Sequence, residues 1–215
     1  MESYKSEFID FMIGCGVLTF GDFVTKSGRK TPYFINTGNY RTGGQLSRLG
    51  SYYAKCLHGE LGDTFDILFG PAYKGIPLAV SASAALYNDF GVDVGCCFNR
   101  KEAKDHGEGG TLIGMKPAAG SRVVIIEDVM TAGTSIRETV PLLKAAAPDV
   151  VIGHEIISVD RMEIGVNGRT AKSEIKDEFG IEVHAIVTVK DIIEKMRGAI
   201  DVRPIEEYME RYCEK

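Results

Sequence analysis

A surplus of basic residues, a paired-cysteine spacing and a long apolar run are all missing from this chain, and each absence removes a class of protein. Lys and Arg number 25 against 30 Asp and Glu, a formal net charge of −5, whereas a general nucleic-acid surface needs a basic face. Nucleic acid is therefore not an expected partner. The cysteines, five in number, include the neighbours Cys96 and Cys97 but no CxxC or Cys/His ligand spacing. They read as small apolar residues of a reducing compartment. The first residues, MESYKSEFIDFMIGCG, lack the basic start and apolar core of a secretory leader. No segment reaches the length of a membrane span, so the expected location is the cytoplasm and no membrane partner is expected. Internal repeats are absent as well.

What remains is an ordinary globular composition, 44% hydrophobic and 26% charged over 215 residues, enough for one sizeable core. The most informative stretch is RVVIIEDVMTAGTS at residues 122–135. Val123, Val124, Ile125 and Ile126 form a short β-branched run, the pattern of a strand buried on both faces of a parallel sheet. Glu127 and Asp128 follow at its carboxyl end, where open α/β sheets bind ligands. Thr131, Ala132, Gly133, Thr134 and Ser135 then supply backbone N–H groups and hydroxyls with little steric bulk. A helical pattern begins at Ile136 with Val140 and Leu143 in phase, and Ser135 with Glu138 has capping-box spacing. Pro141 should kink that helix. A helix N-terminus behind a small-residue loop is a phosphate cradle. Two carboxylates beside it suit a ligand that also carries ribose hydroxyls and a divalent cation. The competing reading is an ordinary strand-to-helix turn with two solvated acids.

Elsewhere the pattern alternates strand and helix, which argues for a parallel α/β sheet. Residues 4–13 carry Phe8, Ile9, Phe11 and Met12 on one helical face, ended by Gly14 and Gly16. VLTFGDFVTKSGRKTPYFINTG reads as a small antiparallel element outside the main sheet. In it, Lys26 reads as part of a solvated turn, and Phe34 and Ile35 as packing. A helix is expected over residues 45–57, with a turn at 59–62. FDILFG is a strand followed by GPAYKG and a helix, so that Gly70 and Gly75 flank a tight loop carrying Tyr73 and Lys74. Its spacing is not that of a Walker A loop. VDVGCCF is a strand leading into NRKEAKDHGEGGTLIG, in which Arg100, Lys101, Lys104 and His106 supply cationic or protonatable groups. No packed element fits that segment. With Glu102, Asp105 and Glu108 interleaved it reads blandly as a solvated loop, while a loop of this length in a compact domain is usually a lid, a binding loop or disordered. VVIGHEIISVD is a strand ending at Asp160 and Arg161, whose guanidinium could serve a surface ion pair or receive a carboxylate. A helix near 170–179, the strand VHAIVTV and a helical tail from Asp191 complete the chain.

The acidic pair followed by the phosphate loop resembles the signature of type I phosphoribosyltransferases. KSGRKTPYF, FGPAYKGIPLA, FNRKEAKDHGEGG, IIEDVMTAGTS and SVDR, in this order, resemble the orotate-using members of that family over nearly the whole length. The lid sequence FNRKEAKDHGEGG discriminates best, since relatives acting on purines and uracil share the phosphate loop. One departure is Glu127–Asp128, where many relatives carry two aspartates.

The resemblance implies a single phosphoribosyltransferase domain over 1–215 with a type I phosphoribosyltransferase fold, a parallel central sheet flanked by helices. It further implies a base-binding hood in residues 1–40 and a mobile catalytic lid at 100–113. The implied reaction joins orotate to 5-phosphoribosyl 1-diphosphate with Mg²⁺, held mainly by substrate and water rather than by direct protein ligands. Lys104, Asp128, Lys101 and His106 would be the catalytic residues. Lys26, Tyr73, Lys74, Arg100, Lys101, Lys104 and His106, with Glu127, Asp128, Val129, Met130, Thr131, Ala132, Gly133, Thr134 and Ser135, would bind the sugar diphosphate. Phe34, Ile35, Thr131 and Arg161 would bind orotate. The family also implies a homodimer whose lid acts on the neighbouring subunit's site. Rival readings are a phosphoribosyltransferase for another base and a non-catalytic regulator binding the sugar diphosphate.

Overall fold

The structure is a computed structural model and describes residues 1–25, 28–104 and 110–214, the side chains of Ala103 and Lys104 excepted. Its centre is a six-stranded sheet in the order β5-β4-β3-β6-β7-β8. The strands are β3 (Ile67–Gly70), β4 (Gly95–Lys104), β5 (Gly110–Gly114), β6 (Arg122–Ile126), β7 (Val151–Asp160) and β8 (Glu182–Thr188). The pairings β4–β3–β6–β7–β8 are parallel, and β5 is an antiparallel edge strand on β4. The expectation of a parallel sheet therefore holds for all but that edge.

Side-chain alternation along β3 and β6 explains why both are continuously apolar. Leu68, Val124 and Ile126 point to a core shared with α1 (Ser3–Gly14), α2 (Gly43–Leu61), α3 (Gly75–Phe90) and α6 (Val189–Met196). On the other face, Ile125 packs with Ile136, Val140 and Ile175 from α4 (Thr134–Ala146) and α5 (Ala171–Phe179), while Ile67, Phe69 and Val123 meet Leu143 of α4. A strand covered by helices on both faces has no polar side to present. Phe8, Ile9, Phe11 and Met12 are all buried, as the α1 pattern requires. A final helix, α7 (Arg203–Tyr212), packs beside a separate antiparallel pair, β1 (Leu18–Val24) and β2 (Lys30–Ile35). This pair is the small element expected outside the main sheet.

Three sequence expectations are corrected here. The segment after VDVGCCF is not a loop throughout. β4 continues to Lys104 and β5 returns from Gly110, pairing Asn99 with Leu112 and Lys104 with Gly110. Polar side chains are compatible with an edge pair because only one face needs cover. Residues 105–109, including His106, lie outside the described residues. Second, α4 starts at Thr134, two residues before Ile136, and the Ser135/Glu138 capping box does not form. Gly133 occupies the N-cap in a left-handed conformation without a side-chain cap. α4 carries Pro141 in its interior. Third, α2 runs past the expected turn to Leu61 with Gly62 as its C-cap.

Candidate active site

After β3 the chain moves one way through α3 to β4, and β6 then inserts on the opposite side of β3. Adjacent strands whose connections diverge leave a crevice at their carboxyl ends, the place where open α/β sheets bind ligands. The loop after Gly70 and the Glu127–Asp128 pair after Ile126 both open onto that switch point. Gly70 and Gly75 make the first loop possible. A Cβ on Gly70 would stand 2.2 Å from the Gly75 carbonyl oxygen, and one on Gly75 would stand 2.7 Å from Pro71. The Ala72–Tyr73 peptide between them is cis, and the Ala72 amide donates to Asn99 Oδ1 at 2.8 Å.

This crossing of loops brings Lys74 to Asp128. Lys74 Nζ lies 3.0 Å from Asp128 Oδ2, and Thr37 Oγ1 donates to the same oxygen at 2.5 Å. Asp128 Oδ1 accepts from the Val129 amide at 2.8 Å. Its carbonyl is fixed by the Ser158 amide and hydroxyl, at 2.9 and 2.6 Å. Asp128 is thus a buried carboxylate (8% exposed) with its charge matched and its hydrogen-bonding capacity used, the condition under which burial is tolerated.

Glu127 is held differently. The Ser135 hydroxyl donates to Glu127 Oε1, which is where the expected helix cap went, and Tyr53 Oη donates to the Glu127 carbonyl at 2.7 Å. Burial pushes the Glu127 carboxyl above the usual range, and the Ser135 hydrogen bond opposes this. Val129, Met130, Thr131, Gly133, Thr134 and Ser135 line a cavity of about 250 Å³ with Glu127. Arg137 braces the loop behind it, donating to the Ala132 carbonyl at 2.5 Å and pairing with Glu178 at 2.8 Å. Because Gly133 has φ +69° and a Cβ there would meet Ile175 at 2.9 Å, the turn into α4 is reserved for glycine. The uncapped first turn of α4 leaves N–H donors and positive dipole facing the cavity, an arrangement suited to a phosphate dianion.

Beneath the loop sits a residue that sequence reasoning missed. Glu155 of β7 is 1% exposed, lines the same cavity, and its Oε2 has no hydrogen-bond partner among the described residues. Burial drives its carboxyl well above the usual carboxylate range, with the Glu127 charge adding to the effect. Burial thus favours its protonated form. A charged residue inside the apolar run EIISV was the available signal.

Around the other end of the loop, Thr131 and Arg161 line a second cavity of about 200 Å³ with Met130, Asp160 and Thr170. Arg161 stacks over the Tyr33 ring at 4.6 Å. Strand β2 thus meets Arg161 through Tyr33, whereas Phe34, on the opposite face of the pleat, is exposed and stacks on Phe23. Ile35 is half-buried at the end of β2. From the β4 arm, Lys101 Nζ lies 5.3 Å from the Tyr73 ring centroid, and Arg100 Nη1 is buried without a hydrogen-bond partner among the described residues. The structure therefore brings together Tyr73, Lys74, Lys101, Asp128 and the 127–135 loop, with Thr131 joining it to Arg161. Lys26, His106 and the Lys104 side chain lie outside the described residues. Thr37, which holds Asp128, gave no sequence signal.

Comparison with known proteins agrees with this geometry. The family model described as the phosphoribosyl transferase domain matches residues 37–179. The chain is 54% identical to an orotate phosphoribosyltransferase of Clostridium beijerinckii over an alignment of 225 residues covering 100% of both. It is 57% identical to that of Clostridium acetobutylicum over 194 residues, 90% of this chain and 86% of the relative. The crystal structure of orotate phosphoribosyltransferase from Francisella tularensis superposes with a TM-score of 0.86 at 35% identity, covering 97% of this chain and 100% of that one. The chain belongs to the phosphoribosyltransferase family, among the orotate phosphoribosyltransferases.

Proposed function

We propose that this protein transfers the 5-phosphoribosyl group from 5-phosphoribosyl 1-diphosphate to orotate, giving orotidine 5′-monophosphate and pyrophosphate in pyrimidine nucleotide synthesis. The observation that carries the reading is the junction of the two sites. Thr131 lies both on the cavity of the phosphate loop and on the cavity containing Arg161, so one loop can hold the sugar phosphate and face the acceptor base.

In the reaction a ring nitrogen of orotate forms a bond to the anomeric carbon as the bond from that carbon to pyrophosphate breaks. The bonding pair leaves on pyrophosphate, and the nitrogen's proton is released. Positive charge gathers on the ribose ring and negative charge on the departing diphosphate, so the protein contributes position and electrostatics. Asp128 and Glu127 receive the ribose hydroxyls. The 131–135 amides and hydroxyls hold the 5′-phosphate. Tyr73, Lys74, Arg100 and Lys101 face the diphosphate, with Lys26, Lys104 and His106 assigned to it by resemblance. Arg161 is the guanidinium for the orotate carboxylate.

Lys74 is paired with Asp128. Diphosphate binding offers that ammonium a new anionic partner and frees Asp128 Oδ2 for a hydroxyl. Mg²⁺, when bound, would be held mainly by substrate and water and would offset the diphosphate charge, with the Glu127 and Asp128 carboxyls favouring a cation nearby. We further assign the active form as a homodimer with the 100–113 segment acting on the partner's site, working in the cytoplasm. No helix among the described residues is long and apolar enough to cross a membrane.

Offering orotate, uracil, adenine, hypoxanthine and guanine separately with the sugar diphosphate and Mg²⁺ tests the acceptor. Consumption of orotate alone is expected. Consumption of another base in place of orotate would reject the substrate assignment, and tight binding of the sugar diphosphate with no base consumed would favour a regulator.

A further inference from the structure

One carboxylate near the acceptor side gathers groups from three separate parts of the chain. Glu163 Oε1 accepts from Arg161 Nε at 2.7 Å and from Tyr208 Oη of α7 at 2.7 Å. Glu163 Oε2 accepts from Arg29 Nη1 at 3.4 Å, and Arg29 lies in the turn between β1 and β2. The hub joins the β7 carboxyl end, the hood turn and the C-terminal helix.

The backbone around it is specialised. Met162, between Arg161 and Glu163, has φ +56°, the one positive φ outside glycine among the described residues. Such a conformation persists where its surroundings over-determine it. Here the Met162 amide donates to Asp160 Oδ1 at 2.7 Å, and the Met162 carbonyl accepts from the Glu214 amide at 2.8 Å. The reversal lets the side chains of two residues only two apart meet in an ion pair.

Arg161 is held by Glu163 at more than one nitrogen. Its Nη2 lies 2.6 Å from the same Glu163 oxygen, yet it lacks the alignment of a hydrogen bond and is a buried donor without a hydrogen-bond partner among the described residues. Buried guanidinium N–H groups left unmatched are costly. Glu163 therefore holds the guanidinium through both Nε and Nη2, and the Tyr33 ring at 4.6 Å sets its plane.

We propose that Glu163 is a positioning residue for the acceptor base. It orients Arg161 toward the base carboxylate and ties Arg29, beside β2, to the same point. The inference rests on reading Arg161 as the contact for the acceptor. It separates two functions of one site, because the donor contacts around Asp128 and the phosphate loop do not involve Glu163.

The test is the Glu163→Gln variant, which keeps size and shape but removes the charge, assayed with each substrate varied in turn. Orotate KM should rise about tenfold, the order expected on losing one charge-assisted hydrogen bond, while KM for the sugar diphosphate stays within about twofold. Arg29→Met and Tyr208→Phe should raise orotate KM less, with the same selectivity, and serve if the Gln variant does not fold. Folding is checked by thermal unfolding. A purely structural brace would lower stability without changing the ratio of the two KM values, and that result would overturn the proposal. Equal rises in both KM values would overturn it too. If the parent protein consumes another base instead of orotate, the reading of Arg161 fails and the proposal falls with it. If the parent uses orotate and the variants match it, only the role of Glu163 is lost.

Discussion

Replacing Glu155 by Gln should change how stability depends on pH, and should do so in one direction. Glu155 is 1% exposed, its Oε2 lacks a hydrogen-bond partner among the described residues, and burial raises its carboxyl well above the ordinary glutamate value. In the unfolded chain the same carboxyl ionises near pH 4.3. Below that pH both states hold the proton and the residue adds no slope. Above it the unfolded chain releases a proton that the folded protein keeps, so rising pH favours unfolding until the folded-state value is passed. Within that window the parent loses about 1.4 kcal/mol per pH unit to this residue alone. For a chain of this size that is roughly 3–6 °C of Tm per pH unit. Gln cannot ionise. The difference in Tm between E155Q and parent should therefore be smallest near pH 4 and grow in favour of the variant from about pH 5 upward. Thermal unfolding by circular dichroism at half-unit pH steps, without substrates, gives the two curves. Parallel curves would show that Glu155 ionises alike in both states and would refute the argument from burial.

Other expectations concern the substrates and the loop. Asp128→Asn should weaken equilibrium binding of the sugar diphosphate by roughly 10- to 100-fold, because a charge-matched acceptor for ribose hydroxyls is lost; titration calorimetry measures this, and unchanged affinity would remove Asp128 from the ribose site. Gly133→Ala should destabilise the protein by about 1–3 kcal/mol, through a strained left-handed residue and a contact with Ile175 that would close to 2.9 Å. Denaturant melts read that loss, and a neutral result would show that the loop relaxes freely. Lys104→Ala should lower kcat by about 10²-fold or more with a smaller change in KM if the lysine acts on charge developing at the departing diphosphate. Equal turnover in variant and parent would exclude that role.

Much of the fold could be read from the chain because its signals were local and agreed with one another. The run 123–126 is apolar on consecutive residues, and the structure shows why: alternate side chains serve two different helical layers. The α1 face and the β1–β2 pair were legible for similar reasons. The segment after Phe98 was harder. Its charged composition suits a solvated loop and an edge strand equally, and the pairing with Leu112 and Ile113 that decides between them is not local. Ser135 has the chemistry of a helix cap, yet Glu127 competes for its hydroxyl through a contact eight residues away. At the site, the sequence motifs located the two loops that meet at the switch point. Thr37, Glu155 and Glu163 were not identified, since their roles follow from long-range neighbours: Asp128 for Thr37, the phosphate-loop cavity for Glu155, and Arg29 and Tyr208 for Glu163.

The most direct measurement follows orotate spectroscopically in the presence of the purified protein, 5-phosphoribosyl 1-diphosphate and Mg²⁺, with pyrophosphate and nucleotide quantified at the end and each component omitted in turn. Loss of orotate that requires all three, with orotidine 5′-monophosphate and pyrophosphate formed one to one, is the predicted result. Intact orotate in the complete mixture, from protein shown to be folded, would contradict the account.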